Sequence, residues 1–457
     1  MGVRQLLVAL LTACLAAPAA FGDGAFPDEL SVMLPDADSN RILVGTNFGL
    51  VVSSDAGASW RYVCEPFITG SVADTIRFYK AGSDGSVVAT SIIAFWQSAD
   101  GGCTWTRAGG SVAANVLARD VFVDPSDPLF VVAIATDLPA ATTDGIHRSF
   151  DRGRTYTGPV YRTPNGNRLT GVEIARSDPN VIYATGLQDD STTPVSAFLL
   201  KSVDRGVTWS APQILDVPSG TEVRIAAVDP ADANKVYLRL LGVTAGTDGI
   251  ALTSNGGQTL SPPPVFTIAG PTTFSTFLVA ASGTLFAGTT SSDLYAAPEG
   301  TTEFARRTGP RARCLGQRPG SPTAPIYACG DGFLDGYNLG VSDDGAQTFR
   351  PVMKFTQIAG PLTSCPAVSQ GCAAHFATLQ QTLGVVPPPV VSGGGGSPPP
   401  AKSGCGSVGG DGAALSSLLV AGLACSRLLR RAPRPLRRRG RGVEPPGEAG
   451  ARANVGA

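Results

Sequence analysis

Carboxylate side chains carry most of the chemistry open to this sequence. Seven of them, with one tyrosine, fall in segments that separate predicted strands: Asp137, Asp144, Asp189, Asp190, Asp248, Asp331, Asp335 and Tyr337. If these segments meet on one surface, the set can bind a cation, a basic partner or sugar hydroxyl groups. The same residue types are common in solvated turns. The pattern therefore indicates a candidate ligand surface and names no catalytic residue.

The 457 residues contain two histidines, His147 and His375. Histidine is the general base of Ser-His-Asp triads and a frequent ligand in zinc and haem sites. So few histidines argue against these enzyme classes, and His147 falls within a predicted strand. The sequence predicts no metal and no cofactor.

Six cysteines in the central part of the chain suit an oxidising compartment: Cys64, Cys103, Cys314, Cys329, Cys365 and Cys372. Six cysteines allow 15 pairings, which the sequence leaves open. Proximity favours two disulfides, Cys314–Cys329 across a hairpin and Cys365–Cys372 beyond the last repeat. A third disulfide, Cys64–Cys103, would then bridge adjacent repeats.

An octapeptide that recurs along the chain must position these residues. The pattern S-x-D-x-G-x-T-W begins at Ser53, Ser98, Ser149 and Ser202, in weaker form at Thr253 and Ser342, and in eroded form at Ala297. We call it the repeated turn. Its acidic or amide positions are 44 to 53 residues apart. A fixed period of this length is typical of repeat architectures such as propellers.

Each residue type in the repeated turn has a structural explanation. Serine hydroxyl and aspartate carboxylate groups can accept hydrogen bonds from nearby backbone amides, glycine permits positive φ, and the aromatic ring returns to the core. We therefore expect structural roles for Asp55, Gly57, Trp60, Asp100, Gly102, Trp105, Asp151, Gly153, Tyr156, Asp204, Gly206, Trp209, Asn255, Gly257, Asp344 and Phe349.

A second turn precedes the repeated turn. Asp124-Pro125, Asp178-Pro179 and Asp229-Pro230 lie 26 or 27 residues before the acidic or amide residue of the following repeated turn, with strand-like runs on both sides. Each unit reads as four strands joined by an Asp-Pro turn, a variable loop and a repeated turn. Seven such units fit between residues 27 and 356. The sequence predicts an all-β, seven-bladed β-propeller over residues 23–356, or a six-bladed one if the unit at Ala297 is not a blade.

The repeated turn resembles the Asp-box, or BNR, repeat of β-propellers such as sialidases, sortilin-like receptors and xyloglucanases. The resemblance implies either a binding module or a glycoside hydrolase. A sialidase would require an Arg-Ile-Pro-like motif near the start; Arg162-Thr163-Pro164 is the nearest string and falls in the wrong unit. A xyloglucanase-like hydrolase would need two carboxylates about 5–10 Å apart, which Asp137, Asp189 or Asp331 could supply.

In a four-stranded meander, the first and third turns lie on one face, which we call the turn face. The second loops and the connections between blades lie on the opposite face, the loop face, where variable loops usually carry function. We expect a non-enzymatic module that binds a protein or glycan there. The alternative is a surface glycoside hydrolase of sialidase-like or xyloglucanase-like type.

The first 22 residues predict export. A basic start, an apolar run from Leu6 to Ala17 and small residues at its end are typical of a secretory signal peptide, which implies signal peptidase as a partner. Leu11-Thr12-Ala13-Cys14 also resembles a lipoprotein cleavage box.

The C-terminal part predicts anchoring. After a closing or rim segment at 357–386 come a Pro/Gly/Ser-rich linker at 387–404 and a tail at 405–457 with Gly-Cys405, a short apolar run and an arginine cluster. This order resembles the MYXO-CTERM sorting tag, which implies a myxosortase-type protease and surface attachment at or near Cys405. Secretion and an inner-membrane tail anchor are the alternatives.

Charge is divided unevenly along the chain. The last 31 residues hold nine arginines and two glutamates. Without them and Arg4, 25 basic side chains face 34 acidic ones. An acidic body disfavours nucleic acid as a partner, because phosphate binding requires a basic surface.

Overall fold

A computed structural model describes residues 28–114, 116–138, 143–189, 194–244, 247–261, 264–268, 273–290 and 293–385. All described residues belong to one compact unit, Met1–Val390. The predicted signal peptide, linker and sorting tag, with Cys14 and Cys405, lie outside the described residues. So does Asp190.

The described strands form seven sheets. Blade 1 contains β1 (Glu29–Met33), β2 (Ile42–Thr46), β3 (Gly49–Ser53) and β4 (Trp60–Cys64). Blade 2 contains β5 (Ile76–Ala81), β6 (Val87–Ser91), β7 (Phe95–Ser98) and β8 (Thr106–Arg107). Blade 3 contains β9 (Gly109–Gly110), β10 (Val116–Val123), β11 (Val131–Asp137), β12 (Asp144–Ser149) and β13 (Thr155–Arg162).

Blades 4 to 7 each have four strands: β14 (Arg168–Ile174), β15 (Ile182–Gln188), β16 (Ser196–Ser202) and β17 (Gln213–Ile214); β18 (Glu222–Val228), β19 (Val236–Thr244), β20 (Thr247–Thr253) and β21 (Phe266–Ile268); β22 (Phe274–Val279), β23 (Thr284–Thr289), β24 (Leu294–Pro298) and β25 (Ala305–Arg307); and β26 (Cys314–Gln317), β27 (Ile326–Cys329), β28 (Leu339–Ser342) and β29 (Arg350–Met353).

The prediction of an all-β, seven-bladed propeller is confirmed. The eroded unit at Ala297 forms β24 and β25 of a complete sixth blade, so the six-bladed alternative is wrong. The described residues of its repeated turn lack the side-chain hydrogen bonds that the other repeated turns form. The rings of Phe304 and Phe266 stack with 4.2 Å between their centroids and connect this turn to blade 5.

In each blade, four successive strands form an antiparallel meander whose first strand lies innermost; in blade 3 these are β10 to β13, and β9 pairs in parallel with the outer strand β13. Contacts between successive first strands run through β1, β5, β10, β14, β18, β22 and β26 and return from β26 to β1. The ring therefore surrounds a central channel. Each first strand starts at the loop face and ends at the turn face, so the residues at its start line the loop-face opening of the channel.

Hydrophobic strands hold neighbouring blades together. Every residue of β2, β3 and β6 is buried, as expected for strands covered on both sides. One core cluster joins Phe130 and Ile146 of blade 3 to Leu169, Ile182 and Phe198 of blade 4. Each such side chain contributes about 1.5–3 kcal/mol on burial.

The repeated turn forms a compact hydrogen-bonded unit. In blade 1, the Ser53 hydroxyl donates to Asp55 Oδ1 at 2.8 Å and accepts from the Gly57 amide at 2.8 Å. The Ser59 amide donates to Asp55 Oδ1, and the Trp60 indole donates to the Gly57 carbonyl at 3.1 Å. Gly57 has φ +94°, a conformation that favours glycine.

The two hydrogen bonds of the serine hydroxyl recur in the turns that begin at Ser98, Ser149, Ser202 and Ser342. Asp204 accepts from the amide and hydroxyl of Thr208 and the hydroxyl of Ser202, which lowers the pKa of its carboxyl to about 2. These carboxylates accept hydrogen bonds from donors within their own turns.

The segment after blade 7 closes the ring. A 3₁₀ helix (Phe355–Gln357) leads into β30 (Ile358–Pro361), which pairs in parallel with the outer strand β4 of blade 1. Two helices follow, α2 (Pro366–Gly371) and α3 (Ala373–Thr382); α1 is the short helix Glu65–Thr69 after β4. The Phe376 ring of α3 lies 5.9 Å from the Tyr62 ring of β4.

Disulfides fasten this closing segment. Cys372 pairs with Cys64 of blade 1, and Cys365 pairs with Cys103 of blade 2. The expected pairings Cys365–Cys372 and Cys64–Cys103 are therefore wrong. Helix α2 separates the two closing-segment cysteines, so each one reaches a different blade. Cys314 and Cys329 face each other across β26 and β27 and form the expected third disulfide.

Side chains of blade 7 also hold blade 1. The Arg318 guanidinium donates to the carbonyls of Pro35, Ser39 and Arg41 at 2.7–2.8 Å, and Arg313 forms an ion pair with Asp28. Among the described residues, no helix is long and apolar enough to cross a membrane.

We expect Arg318→Ala to lower the free energy of unfolding by about 2–3 kcal/mol, because three carbonyl groups at the closure lose a charged donor. Arg350→Ala is the matched control. Arg350 belongs to the same blade but forms an exposed ion pair with Asp343, which contributes less than about 1 kcal/mol. Equal changes in urea midpoint for the two variants would contradict this role of Arg318.

Candidate functional site

Most of the acidic residues predicted for the loop face form ion pairs with arginines. Ion pairs join Asp137 to Arg162, Asp248 to Arg239 at 2.9 Å, Asp331 to Arg313 at 3.4 Å and Asp335 to Arg311 at 3.3 Å. Since each carboxylate already has a cationic partner, these four residues do not form an open acidic ring.

Asp144 and Asp248 are buried and connect neighbouring blades. Asp144 accepts a hydrogen bond from the Leu169 amide at 2.7 Å, and Asp248 accepts one from the Phe274 amide at 3.2 Å. Each carboxylate lies at or near the start of the third strand of its blade and holds the start of the next inner strand. A buried carboxylate with these partners has a structural role.

The other candidates are dispersed. Asp189 is exposed. Tyr337 is buried, and burial together with nearby Asp335 raises the pKa of its hydroxyl to about 12. Asp331 accepts from the amides of Phe333 and Leu334, while Asp335 accepts from the Asp331 amide. The structure thus brings Asp331, Asp335 and Tyr337 together in one braced loop. Asp137 and Asp144 lie at the two ends of the β11–β12 loop, and Asp189 and Asp248 belong to two further blades.

Arginines, rather than carboxylates, converge at the loop-face opening of the channel. Four consecutive blades contribute Arg77, Arg119, Arg168 and Arg224 from the first strands β5, β10, β14 and β18. We call these four residues the arginine cluster. They line one cavity of about 200 Å³ together with Phe78 and Glu222.

The arginine cluster carries excess positive charge. Glu222 binds Arg224, with Oε1 2.8 Å from Nε and 2.7 Å from Nη2. Arg119 Nε donates to the Thr136 hydroxyl at 2.7 Å. The side chains of Arg77 and Arg168 form no hydrogen bond or ion pair within the part of the chain described here. Four guanidinium groups facing one carboxylate form an electrostatic site for an anion.

The sequence contained a signal for this cluster. Arg77, Arg119 and Arg224 each lie five residues before the turn that ends their inner strand, at residues 82, 124 and 229. The recurring position within the repeat indicates a shared surface. The acidic residues predicted for the site lie in variable loops, whereas these arginines lie near strand starts.

Deeper in the channel, Asp120 and Glu173 line a second cavity of about 220 Å³ with Lys80. Asp120 accepts from the Val172 amide of the next blade at 2.9 Å, and Glu173 accepts from the Val228 amide at 2.8 Å. Burial raises the pKa of both carboxyl groups, that of Glu173 to about 7, helped by nearby Asp120.

His147 is buried in β12, and its Nδ1 lies 2.8 Å from the Ser111 hydroxyl. Burial lowers its pKa to about 4, so the ring is neutral at pH 7. Among the described residues, no group of three or more His, Cys, Asp or Glu side chains is placed to hold a metal ion.

No protein-family model matches the chain. Over 109 residues, which are 22% of this chain and 12% of the relative, it is 31% identical to a xyloglucanase of Hypocrea jecorina (strain QM6a). The chain thus matches only a small part of that protein's length.

Two solved structures illustrate the likeness of fold. YCF48 from Cyanidioschyzon merolae is 12% identical, with a TM-score of 0.43 over 66% of this chain and 92% of that one. The GH74 xyloglucanase from Xanthomonas campestris is 14% identical, with a TM-score of 0.26 over 71% and 69%.

We expect Glu173→Gln to stabilise the protein as pH rises. The ordinary pKa of glutamate is near 4.5 and that of folded Glu173 is about 7, so the folded state binds the proton more tightly than the unfolded state. The wild type therefore loses stability between these pH values. Glutamine keeps the acceptor for Val228 and avoids this loss.

At pH 5 or below the two proteins should differ little, and at pH 8 the variant should be about 1–2 kcal/mol more stable, after allowance for the partial exposure of this side chain. Urea unfolding across this pH range measures the difference. Glu303→Gln, at an exposed site, is the control. A constant difference at all pH values would contradict the raised pKa.

Proposed function

We propose that this protein is an exported, surface-anchored Asp-box β-propeller that binds the anionic group of a protein or glycan ligand at the arginine cluster. The observation that carries the proposal is the convergence of Arg77, Arg119, Arg168 and Arg224 on one cavity. Guanidinium groups bind carboxylate, sulfate and phosphate oxygens through paired, charge-assisted hydrogen bonds.

The location favours binding. The four arginines are held on strands of a rigid ring, which reduces the conformational entropy lost when a ligand binds. Arg77 and Arg168 need not break a hydrogen bond or ion pair to another described residue before they bind an anion. Excess charge at one opening of an otherwise acidic protein also steers anionic ligands towards this point.

The carboxylates near the cluster support a non-enzymatic role. A glycosidase uses two carboxyl groups on opposite sides of the scissile bond. In the cavity of the arginine cluster, Glu222 is the one acidic residue of the described lining, and Arg224 binds it. Asp120 and Glu173 accept hydrogen bonds from backbone amides of the following blade, which favours a structural role for both.

A glycoside hydrolase of xyloglucanase-like type is the second candidate. One observation favours it: Glu173, with a pKa of about 7, lines a channel cavity beside Asp120, and a raised pKa is typical of a general acid. The partial match to a xyloglucanase agrees with this alternative. Turnover of xyloglucan or chromogenic glycosides that is abolished in Glu173→Gln would replace the binding proposal.

The binding proposal predicts a specific loss of affinity. We expect the double variant Arg77→Gln/Arg168→Gln to bind a fluorescent poly-glutamate peptide or a sulfated oligosaccharide at least tenfold more weakly than wild type. Wild-type affinity should fall as salt rises from 50 to 300 mM, because screening weakens these contacts. Fluorescence anisotropy measures both effects.

Arg350→Gln is the matched control, since it removes an exposed arginine that follows the repeated turn of blade 7. Retained affinity for both probes in the double variant, or equal losses in the double variant and the control, would contradict the assignment of the ligand site. The two probes separate a peptide ligand from a sulfated glycan.

Anchoring at Cys405 is tested in the native cell. We expect Cys405→Ala to reduce the surface-exposed fraction of the protein at least severalfold and to leave the sorting tail attached. Cys425→Ala, which changes another cysteine of the same tail, should have no effect. Surface protease accessibility and the mass of the mature chain report the result. Normal display of Cys405→Ala would contradict this mode of attachment.

A further inference from the structure

Arginines of the repeated turns bind acidic first turns of the preceding blade. Arg152 of blade 3 reaches Asp84 of blade 2 at 2.8 Å. Arg205 of blade 4 reaches Asp124 and Asp127 of blade 3 at 3.1 and 2.6 Å. Both arginines occupy the fourth position of the repeated turn, in left-handed backbone with φ +64° and +60°.

Asp124 shows how this contact satisfies a buried carboxylate. Its Oδ1 accepts from the amides of Ser126 and Asp127 and shapes the turn. Its Oδ2 accepts from Arg205 Nη2. Because the side chain is fully buried, the guanidinium supplies both a hydrogen bond and the compensating charge.

Between blades 5 and 6 the arginine contact is replaced by an ion pair of opposite polarity, in which Lys235 of the first turn of blade 5 binds Glu299 of the blade 6 repeated turn. Asp229 corresponds to Asp124, and its Oδ1 accepts from the amides of Ala231 and Asp232 in the same way. The residue is 2% exposed, and Asp229 Oδ2 is buried without a hydrogen-bond partner among the described residues. The fourth position of the blade 6 turn is Gly300, so no side chain can reach back as Arg205 does.

A cavity of about 430 Å³ lies at this position on the turn face. Asp229 and Glu299 line it on the acidic side, and Leu278, Val279 and Pro322 form an apolar wall. Glu299 binds Lys235. Arg176 also lines the cavity, but it forms an ion pair with Asp36 at 3.0 Å. The cavity walls thus combine apolar surface with Asp229, whose Oδ2 is buried just behind the lining and accepts no hydrogen bond from the described residues.

We propose that this cavity binds a guanidinium group carried on an apolar stem, with the guanidinium donating to Asp229 Oδ2 and the stem lying against Leu278 and Val279. The ligand guanidinium would bind Asp229 as Arg205 of blade 4 binds Asp124 of blade 3. The site lies on the face opposite the arginine cluster and is independent of the proposed function.

The first test uses two probes that carry the same group, butylguanidinium as a free ligand and the capped peptide Gly-Arg-Gly as a protein-borne one. Butylurea is the neutral control. Isothermal titration at low ionic strength should show saturable binding of at least one guanidinium probe and none of butylurea. Binding of the free probe alone indicates a small-molecule site, and tighter binding of the peptide indicates an arginine of a partner protein.

Two variants of the full chain locate the site. Asp229→Asn keeps an oxygen for the Ala231 and Asp232 amides and removes the charge, and it should weaken probe binding at least tenfold. Gly300→Arg should block binding by placing a guanidinium in the cavity from within the chain. Gly300 has φ +82°, so a side chain there adds backbone strain, but an added Cβ meets nothing within 4 Å, and Arg152 and Arg205 occupy the same turn position in left-handed backbone.

Gly345→Arg is the matched control. Gly345 occupies the fourth position of the blade 7 turn, has φ +71° and also has free space around an added Cβ. This variant should bind the probe like wild type. The proposal would be overturned if neither guanidinium probe showed saturable binding. It would also be overturned if Asp229→Asn and Gly300→Arg both bound the probe as tightly as wild type does. Neither variant changes the arginine cluster, so anion binding on the loop face is measured separately.

Discussion

The fold depends on closing the ring. The four-stranded meander of every blade comes from one stretch of chain, and among the described strands none is shared between the sheets of blades 1 and 7. The junction between blades 7 and 1 must therefore be held by other means. Strand β30 extends blade 1 at its outer edge, Arg318 binds carbonyl groups of the first turn of blade 1, and two disulfides fasten the closing segment to blades 1 and 2. Closure also protects strand edges that an open array would expose.

The same ring determines how charge is used. Aspartates of the repeated turns accept hydrogen bonds within their own turns, and buried carboxylates such as Asp144, Asp120 and Glu173 accept from amides of the next blade. Acidic residues are thus largely engaged in holding the scaffold. Arginines at the starts of the inner strands do not have these roles. They make the loop-face opening of the channel positively charged in a protein whose body is acidic. Function is better inferred here from the partners of each charge than from net charge.

Local patterns predicted the scaffold well. Alternating strand-like segments, glycine with positive φ and a turn recurring every 44 to 53 residues are all encoded within short stretches, and they predicted seven blades. The candidate site was predicted less well. Asp331, Asp335 and Tyr337 do share one loop, but arginines or buried contacts engage most of the other acidic candidates. The expected pairing of Cys365 with Cys372 failed because proximity along the chain does not say which blade a closing segment covers.

The sequence by itself determined the turns, the strands and the number of blades, because these depend on residues a few positions apart whose hydrogen bonds and backbone angles are local. Only the tertiary structure decided which distant residues meet. Arg77 and Arg224 are on different blades, and they line the same cavity because the first strand of every blade turns its start towards one opening. Asp124 and Asp229 look alike in sequence, yet one binds an arginine of the next blade and the other faces a cavity. The difference arises from the side chain that the neighbouring blade supplies.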